Sequence, residues 1–143
     1  MKILHFQAGE LSGGASRGAY WLHRGLLIAG LDSRFITNGR RDPIDESVTA
    51  LGVNPFRRLS FTVRSNIAKQ VRVFYGQRRS EIFNTGWDGI DITSVPGYKE
   101  ADILHLHWIN GLIRYSSLSK VKKPVVWSMR DMWPMTGGCH YAL

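Results

Sequence analysis

The opening thirty residues, MKILHFQAGELSGGASRGAYWLHRGLLIAG, constrain the fold most, because a strand, a glycine step and a helix follow one another without interruption. Ile3, Leu4 and Phe6 lie in a run too short for a helix and suited to a buried strand near Ile3–Phe6. Beyond Gly13 and Gly14, Ala19, Leu22, Leu26 and Ala29 recur every three or four residues, with Leu27 and Ile28 broadening that face and Gly30 as a stop signal. The segment LDSRFITNG then reads as a second strand, Ser33–Thr37. Strand, helix, strand at this spacing predicts a βαβ unit with a right-handed crossover.

A glycine pair at that place has two uses. It permits a tight turn with close packing, or it leaves backbone N–H groups and a helix dipole open to an anion at the carboxyl end of a strand. Two standard phosphate-binding patterns fail. G-x-G-x-x-G is absent, and the second strand ends in Thr37-Asn38 where an acidic ribose ligand would stand. No G-K-[ST] opens the helix either. Dinucleotide and P-loop chemistry are both disfavoured.

With 143 residues, 43% hydrophobic and 21% charged, the chain is expected to be one soluble α/β domain over 1–143. No apolar run approaches the roughly 20 residues of a membrane span, and the start lacks the layout of a signal peptide. Cys139 is the single cysteine, so neither a disulfide framework nor a cysteine zinc cluster is expected. A cytoplasmic location fits these features.

The net charge of +8, from 19 Lys and Arg against 11 Asp and Glu, is concentrated locally. Residues 57–79 read as one amphipathic helix, with Leu59, Val63, Ile67, Val71 and Phe74 at helical spacing. Arg57, Arg58, Arg64, Lys69 and Arg72 gather on the opposite arc, with Phe61 among them. Such a face is either an ordinary solvated surface or a peripheral contact with anionic membrane, at the inner face in a cytoplasmic protein. No nucleic-acid reader motif accompanies the charge, so no nucleic-acid partner is expected.

From Ser80 onward, a short strand near Ile82 and turns at Gly86, Gly89, Pro96 and Gly97 are expected, and Pro43–Pro55 reads as a surface connection. ADILHLHWING supplies a third strand, Ile103–His107, ending in His107, Trp108 and Asn110. KKPVVWSMRDMWPMTGGCHY supplies a fourth, Val125–Met129, followed by Arg130, Asp131, Trp133, Thr136, Gly137, Gly138 and His140. The predicted fold is a Rossmann-like parallel sheet with helices on both faces. In such sheets ligands bind outside the carboxyl ends of the strands. No metal or other cofactor is expected: a site shared by His105 and His107 is set aside because residues alternate between the faces of a strand.

Three blocks, GGASRGAYWLHRGL, ADILHLHWING and PVVWSMRDMWPMTGGCHY, together resemble the amino-terminal domain of bacterial family-four glycosyltransferases, the retaining nucleotide-sugar enzymes of GT-B fold. The blocks occur in the family's order, and the last is the most specific. The resemblance implies a two-domain enzyme moving a sugar from a nucleotide-sugar donor to a glycan or lipid-linked acceptor in the cleft between domains. This chain corresponds to the acceptor-side domain. The donor-binding domain is not matched, so a fragment inactive alone is expected; the alternative is a non-catalytic α/β binding or regulatory module.

Carried over residue by residue, the resemblance makes His107 and Asp131 catalytic candidates. It makes Gly13, Gly14, Arg17, Asn110, Arg130, Thr136, Gly137, Gly138 and His140 candidates for substrate binding. One departure stands out: relatives commonly place histidine before the aspartate, and this chain has Arg130, a permanent cation of different shape.

Overall fold

The structure is a computed structural model that describes residues 1–39, 45–51, 63, 66, 84–136 and 138–140. Five strands, β1 (Lys2–Phe6), β2 (Asp32–Thr37), β3 (Val48–Ala50), β4 (Ile103–Leu106) and β5 (Val125–Trp127), form one open sheet in the order β3-β2-β1-β4-β5. Every pairing is parallel. Helix α1 (Gly14–Ile28) connects β1 to β2, while 3-10 helices at Ile92–Ser94 and Tyr115–Lys120 and one helical turn at Trp133–Thr136 complete the described elements. This is the open α/β sheet expected from alternating strand and helix signals.

The residues that share each face follow from strand alternation. On one face Leu4, Phe6, Ile36, Leu104 and Leu106 pack with Ile92, Val95, Ala101, Ile109, Leu112, Ile113 and Trp133 into the main core. The other face lies under α1 and is far more polar. There Phe35 and Val48 pack with Ala19 of α1, but His5, His23, Ser33, Thr37 and His107 are buried as well. Helix α1 accordingly buries Ser16, Ala19 and His23, not the leucine-rich face expected from its spacing. Leu22 and Ile28 are exposed. The sheet beneath offers hydroxyls and imidazoles, and a small polar helix face pairs with them better than leucine does.

Helix α1 ends as its sequence predicts. Gly30 has φ of 79°, its N–H donates to the Leu27 carbonyl, and the Leu31 N–H donates to the Leu26 carbonyl, both at 3.0 Å. That pair of bonds is the Schellman arrangement, which needs a residue tolerant of the left-handed region.

Strand β3 corrects the reading of 43–55 as a surface connection: Val48–Ala50 is an edge strand whose Val48 pairs with Phe35 and is buried. The third and fourth expected strands end earlier, at Leu106 and Trp127. The turns expected at Gly86, Gly89 and Gly97 are present, all with positive φ. The strand expected near Ile82 lies outside the described residues, as does the basic helix 57–79 apart from Val63 and Asn66, which are helical. Among the described residues no helix is long and apolar enough to cross a membrane.

Candidate functional site

Because every strand is parallel, the loops after β1, β4 and β5 leave the sheet at one edge. Pairing continues past the strands: the His107 N–H donates to the Phe6 carbonyl at 3.0 Å, Ala8 N–H to the Trp108 carbonyl at 2.6 Å, and Ser128 N–H to the Leu106 carbonyl at 2.8 Å. Gln7, fully buried, ties three segments together. Its amide nitrogen donates to Ser16 Oγ of α1 at 3.1 Å and to the Ala8 carbonyl at 2.9 Å, and its oxygen accepts from Trp108 N–H at 3.3 Å. The loop after β5 reaches the same place, since the Arg130 guanidinium lies against Gly18 of α1, 3.4 Å from where a Cβ would stand. The rings of Trp108 and His140 meet edge to face at 6.0 Å.

The glycine step is open. Gly13 precedes α1 with φ −75° and ψ 155°, a conformation any residue adopts, and makes no side-chain cap. Among the described residues, a Cβ at Gly14 would meet nothing within 4 Å, and one at Gly13 only Ser16 Oγ at 3.9 Å. No acidic residue occupies the first turn, so the helix N-terminus carries its bare N–H groups and positive dipole end. Two cations stand nearby in the fold: Arg130, and Arg17, whose guanidinium sits 5.5 Å from the Trp21 ring centroid.

Asp131 and His140 are engaged with each other. His140 Nδ1 donates to Asp131 Oδ2, leaving Nε2 to accept from Asn84 Nδ2 at 2.8 Å. Asp131 Oδ1 also accepts from Trp133 N–H at 3.1 Å, capping that helical turn. The Met132 N–H to His140 carbonyl bond closes the loop at 3.1 Å, and the Asn84 N–H donates to the Gly138 carbonyl at 3.0 Å. Thr136, exposed, donates to the Cys139 carbonyl. Gly137 lies outside the described residues. Asn110 differs from these, because both polar atoms of its side-chain amide are buried without a hydrogen-bond partner among the described residues.

Beneath α1 lies a layer of imidazoles. His5 and His105 are cross-strand partners on β1 and β4, and His107 follows two residues on. Their ring centroids are 4.2 Å apart for His105 and His107, 4.9 Å for His5 and His105, and 5.5 Å for His5 and His107. His5 Nδ1 and His107 Nε2 are 3.1 Å apart, and His105 Nε2 lies 2.8 Å from Ser128 Oγ. His105 and His107 therefore stand side by side, contrary to the expectation that strand alternation separates them, because residues two apart return to the same face. Burial holds His5 and His107 down to about 3, helped by the neighbouring His105; Arg130 adds to the effect on His107. Burial, then Arg130, lowers His105 too. These rings are neutral at ordinary pH.

Of the residues singled out by sequence, Gly13, Gly14, Arg17, Arg130 and Thr136 are exposed along this edge, whereas His107 is buried in the imidazole layer. No hydrogen bond joins His107 to Asp131 among the described residues. Sequence reasoning misses Gln7, Asn84, His5 and Ser128. A polar residue inside an otherwise apolar strand, as His5 is, is the available signal. A hollow of about 300 Å³ at the opposite edge is lined by Lys2, Asp32, Arg34 and Glu100, charges of both signs that favour no one ligand.

Comparison with models of protein families, with curated proteins and with solved structures finds no match for this chain.

Proposed function

We propose that this chain forms the amino-terminal, Rossmann-like half of a retaining glycosyltransferase, and that its carboxyl edge receives the diphosphate of a nucleotide sugar. One observation carries the reading: among the described residues, nothing requires glycine at 13 or 14. Neither has positive φ, neither is crowded, and Gly14 opens a helix that alanine would favour by up to about 1 kcal/mol. Bare backbone at an uncapped helix N-terminus, with Arg130 beside the helix, suits an anion that must come close.

In this reading Arg130 and the N–H groups of the first turn stabilise charge building up on the departing diphosphate. The Asp131–His140–Asn84 brace holds the loop that carries Arg130. The nucleoside and the sugar are held mainly by a second domain facing this edge. Asn110 supplies an amide with unused hydrogen-bonding capacity.

The test is a titration of the isotope-labelled chain with inorganic pyrophosphate and with uridine diphosphate, read by amide chemical shifts. Shifts should centre on residues 13–17 and weaken about tenfold in affinity with Arg130→Ala. Gly14→Val should block binding while leaving the remaining spectrum in place. Unmoved amides at 13–17 would remove the basis for the assignment.

A further inference from the structure

His105 on β4 and His107 just past its end form a His-x-His pair beside His5, the cross-strand partner of His105 on β1, and all three lie on one face of the sheet. One ring nitrogen from each can be chosen so that the three lie within 4.8 Å of one another. Around tetrahedral zinc, with Zn–N near 2.0–2.1 Å, ligand nitrogens sit about 3.4 Å apart. His5 Nδ1 and His107 Nε2 are already 3.1 Å apart. His105, the most accessible of the three, supplies the third nitrogen.

We propose that His5, His105 and His107 form a three-histidine site for a borderline-soft divalent cation of the zinc class. It is independent of the glycosyltransferase reading.

Three features of the layer support the proposal. First, His5 Nδ1 and His107 Nε2 face each other and have no other hydrogen-bond partner among the described residues, so a cation between them would displace only that one bond. Without a cation the two nitrogens share one proton in an N–H···N hydrogen bond, and metal binding would release that proton. Second, His105 Nε2 lies 2.8 Å from Ser128 Oγ. A hydroxyl accepting that N–H fixes the tautomer in which Nδ1 is the free donor atom, as the outer partners of metal-bound histidines do. Third, the ligands stand on, or one residue past, the adjacent paired strands β1 and β4 inside the sheet, so little ordering is lost on binding.

The donor set selects the metal. Three imidazoles with no carboxylate favour zinc, copper or nickel over magnesium or calcium. Three protein ligands leave the fourth tetrahedral position to water or to a small anion. One neighbour opposes the cation. Arg130 is close enough to act on His105 and His107, although it is exposed and screened. Its removal therefore has a predictable sign.

The experiment is titration of chelator-treated full chain with Co²⁺, read by visible ligand-field absorption, followed by displacement with Zn²⁺ and calorimetry for stoichiometry. One equivalent should bind with the intense band of a tetrahedral site. His105→Ala, at the partly exposed position, should abolish that band while circular dichroism stays unchanged, and His107→Gln should do the same. Ser128→Ala should weaken binding by about tenfold or more through the outer partner. Arg130→Met should tighten it. His23→Gln and His140→Gln, which lie outside the set, should leave the band intact. No saturable one-to-one binding, or binding that survives both His105→Ala and His107→Gln, would overturn the site. Pyrophosphate binding at residues 13–17 is read separately, so either proposal can fail alone.

Discussion

His23 gives the sharpest quantitative expectation. It is fully buried between α1 and the sheet, with Nδ1 2.7 Å from Ser33 Oγ and Nε2 2.8 Å from Ser47 Oγ. Burial, the largest influence, lowers it from 6.5 to about 4, with Asp45 opposing and Arg24 assisting. The unfolded chain therefore binds a proton near pH 6.5 that the folded chain refuses until about pH 4. The stabilisation is complete above pH 6.5 and is lost as pH falls toward 4. Between about pH 7.5 and about pH 4.5, that difference amounts to about 2–3 kcal/mol, because each tenfold rise in proton activity over this range is worth up to about 1.36 kcal/mol. His23→Gln retains a polar contact but cannot titrate, and at neutral pH it should cost about 1–3 kcal/mol for the hydroxyl left unpaired. Urea unfolding of both proteins with chelator present, at the two pH values, separates the effects. The gap in stability between parent and variant should shrink, or reverse, by about 2–3 kcal/mol on acidification. A gap constant to within about 0.5 kcal/mol would show that His23 is not held neutral by its burial.

Three further outcomes follow from the geometry. Gly89→Ala should cost about 2–4 kcal/mol in urea unfolding, because φ is +114° and the new Cβ would stand 2.6 Å from the Ile113 carbonyl carbon, whereas Gly14→Ala should cost nothing or stabilise slightly. Gln7→Met should lose about 1–3 kcal/mol and speed amide exchange at Trp108, whose N–H loses its acceptor. Asp131→Ala should remove the partner of His140 and the cap of Trp133 together, costing about 1–2 kcal/mol and altering tryptophan fluorescence.

The β1–α1–β2 unit and strands β4 and β5 are legible in the sequence because each is a local signal: a short apolar run, a helical spacing, a glycine stop. Strand β3 is not. Val48-Thr49-Ala50 is three residues long, and only its pairing with Phe35, Ile36 and Thr37 makes it a strand. The buried face of α1 departs from its spacing for a related reason. Helical spacing marks Leu22 and Ile28 as apolar, but what a helix buries depends on the surface it meets, here Ser33 and the imidazoles. For the site, parallel pairing makes a common edge for the three loops foreseeable, whereas Gln7's role depends on contacts nine and about a hundred residues away. The histidine layer requires the β1–β4 register, which aligns His5 with His105 and which no local pattern specifies.

The unlike faces of the sheet also bear on how the chain avoids misfolding. A parallel sheet buried on both sides by aliphatic residues gives a strand little reason to prefer one alignment over its neighbour one residue along. Here Leu4, Phe6, Leu104 and Leu106 occupy one face of β1 and β4, whereas the other carries Ile3 and Ile103 and then His5, His105 and, just past β4, His107. A slip of one residue would drive imidazoles into the aliphatic layer and leave leucines facing the hydroxyls of Ser16 and Ser33. The histidines thus act as a parity check on strand alignment, penalising any odd-numbered shift between β1 and β4.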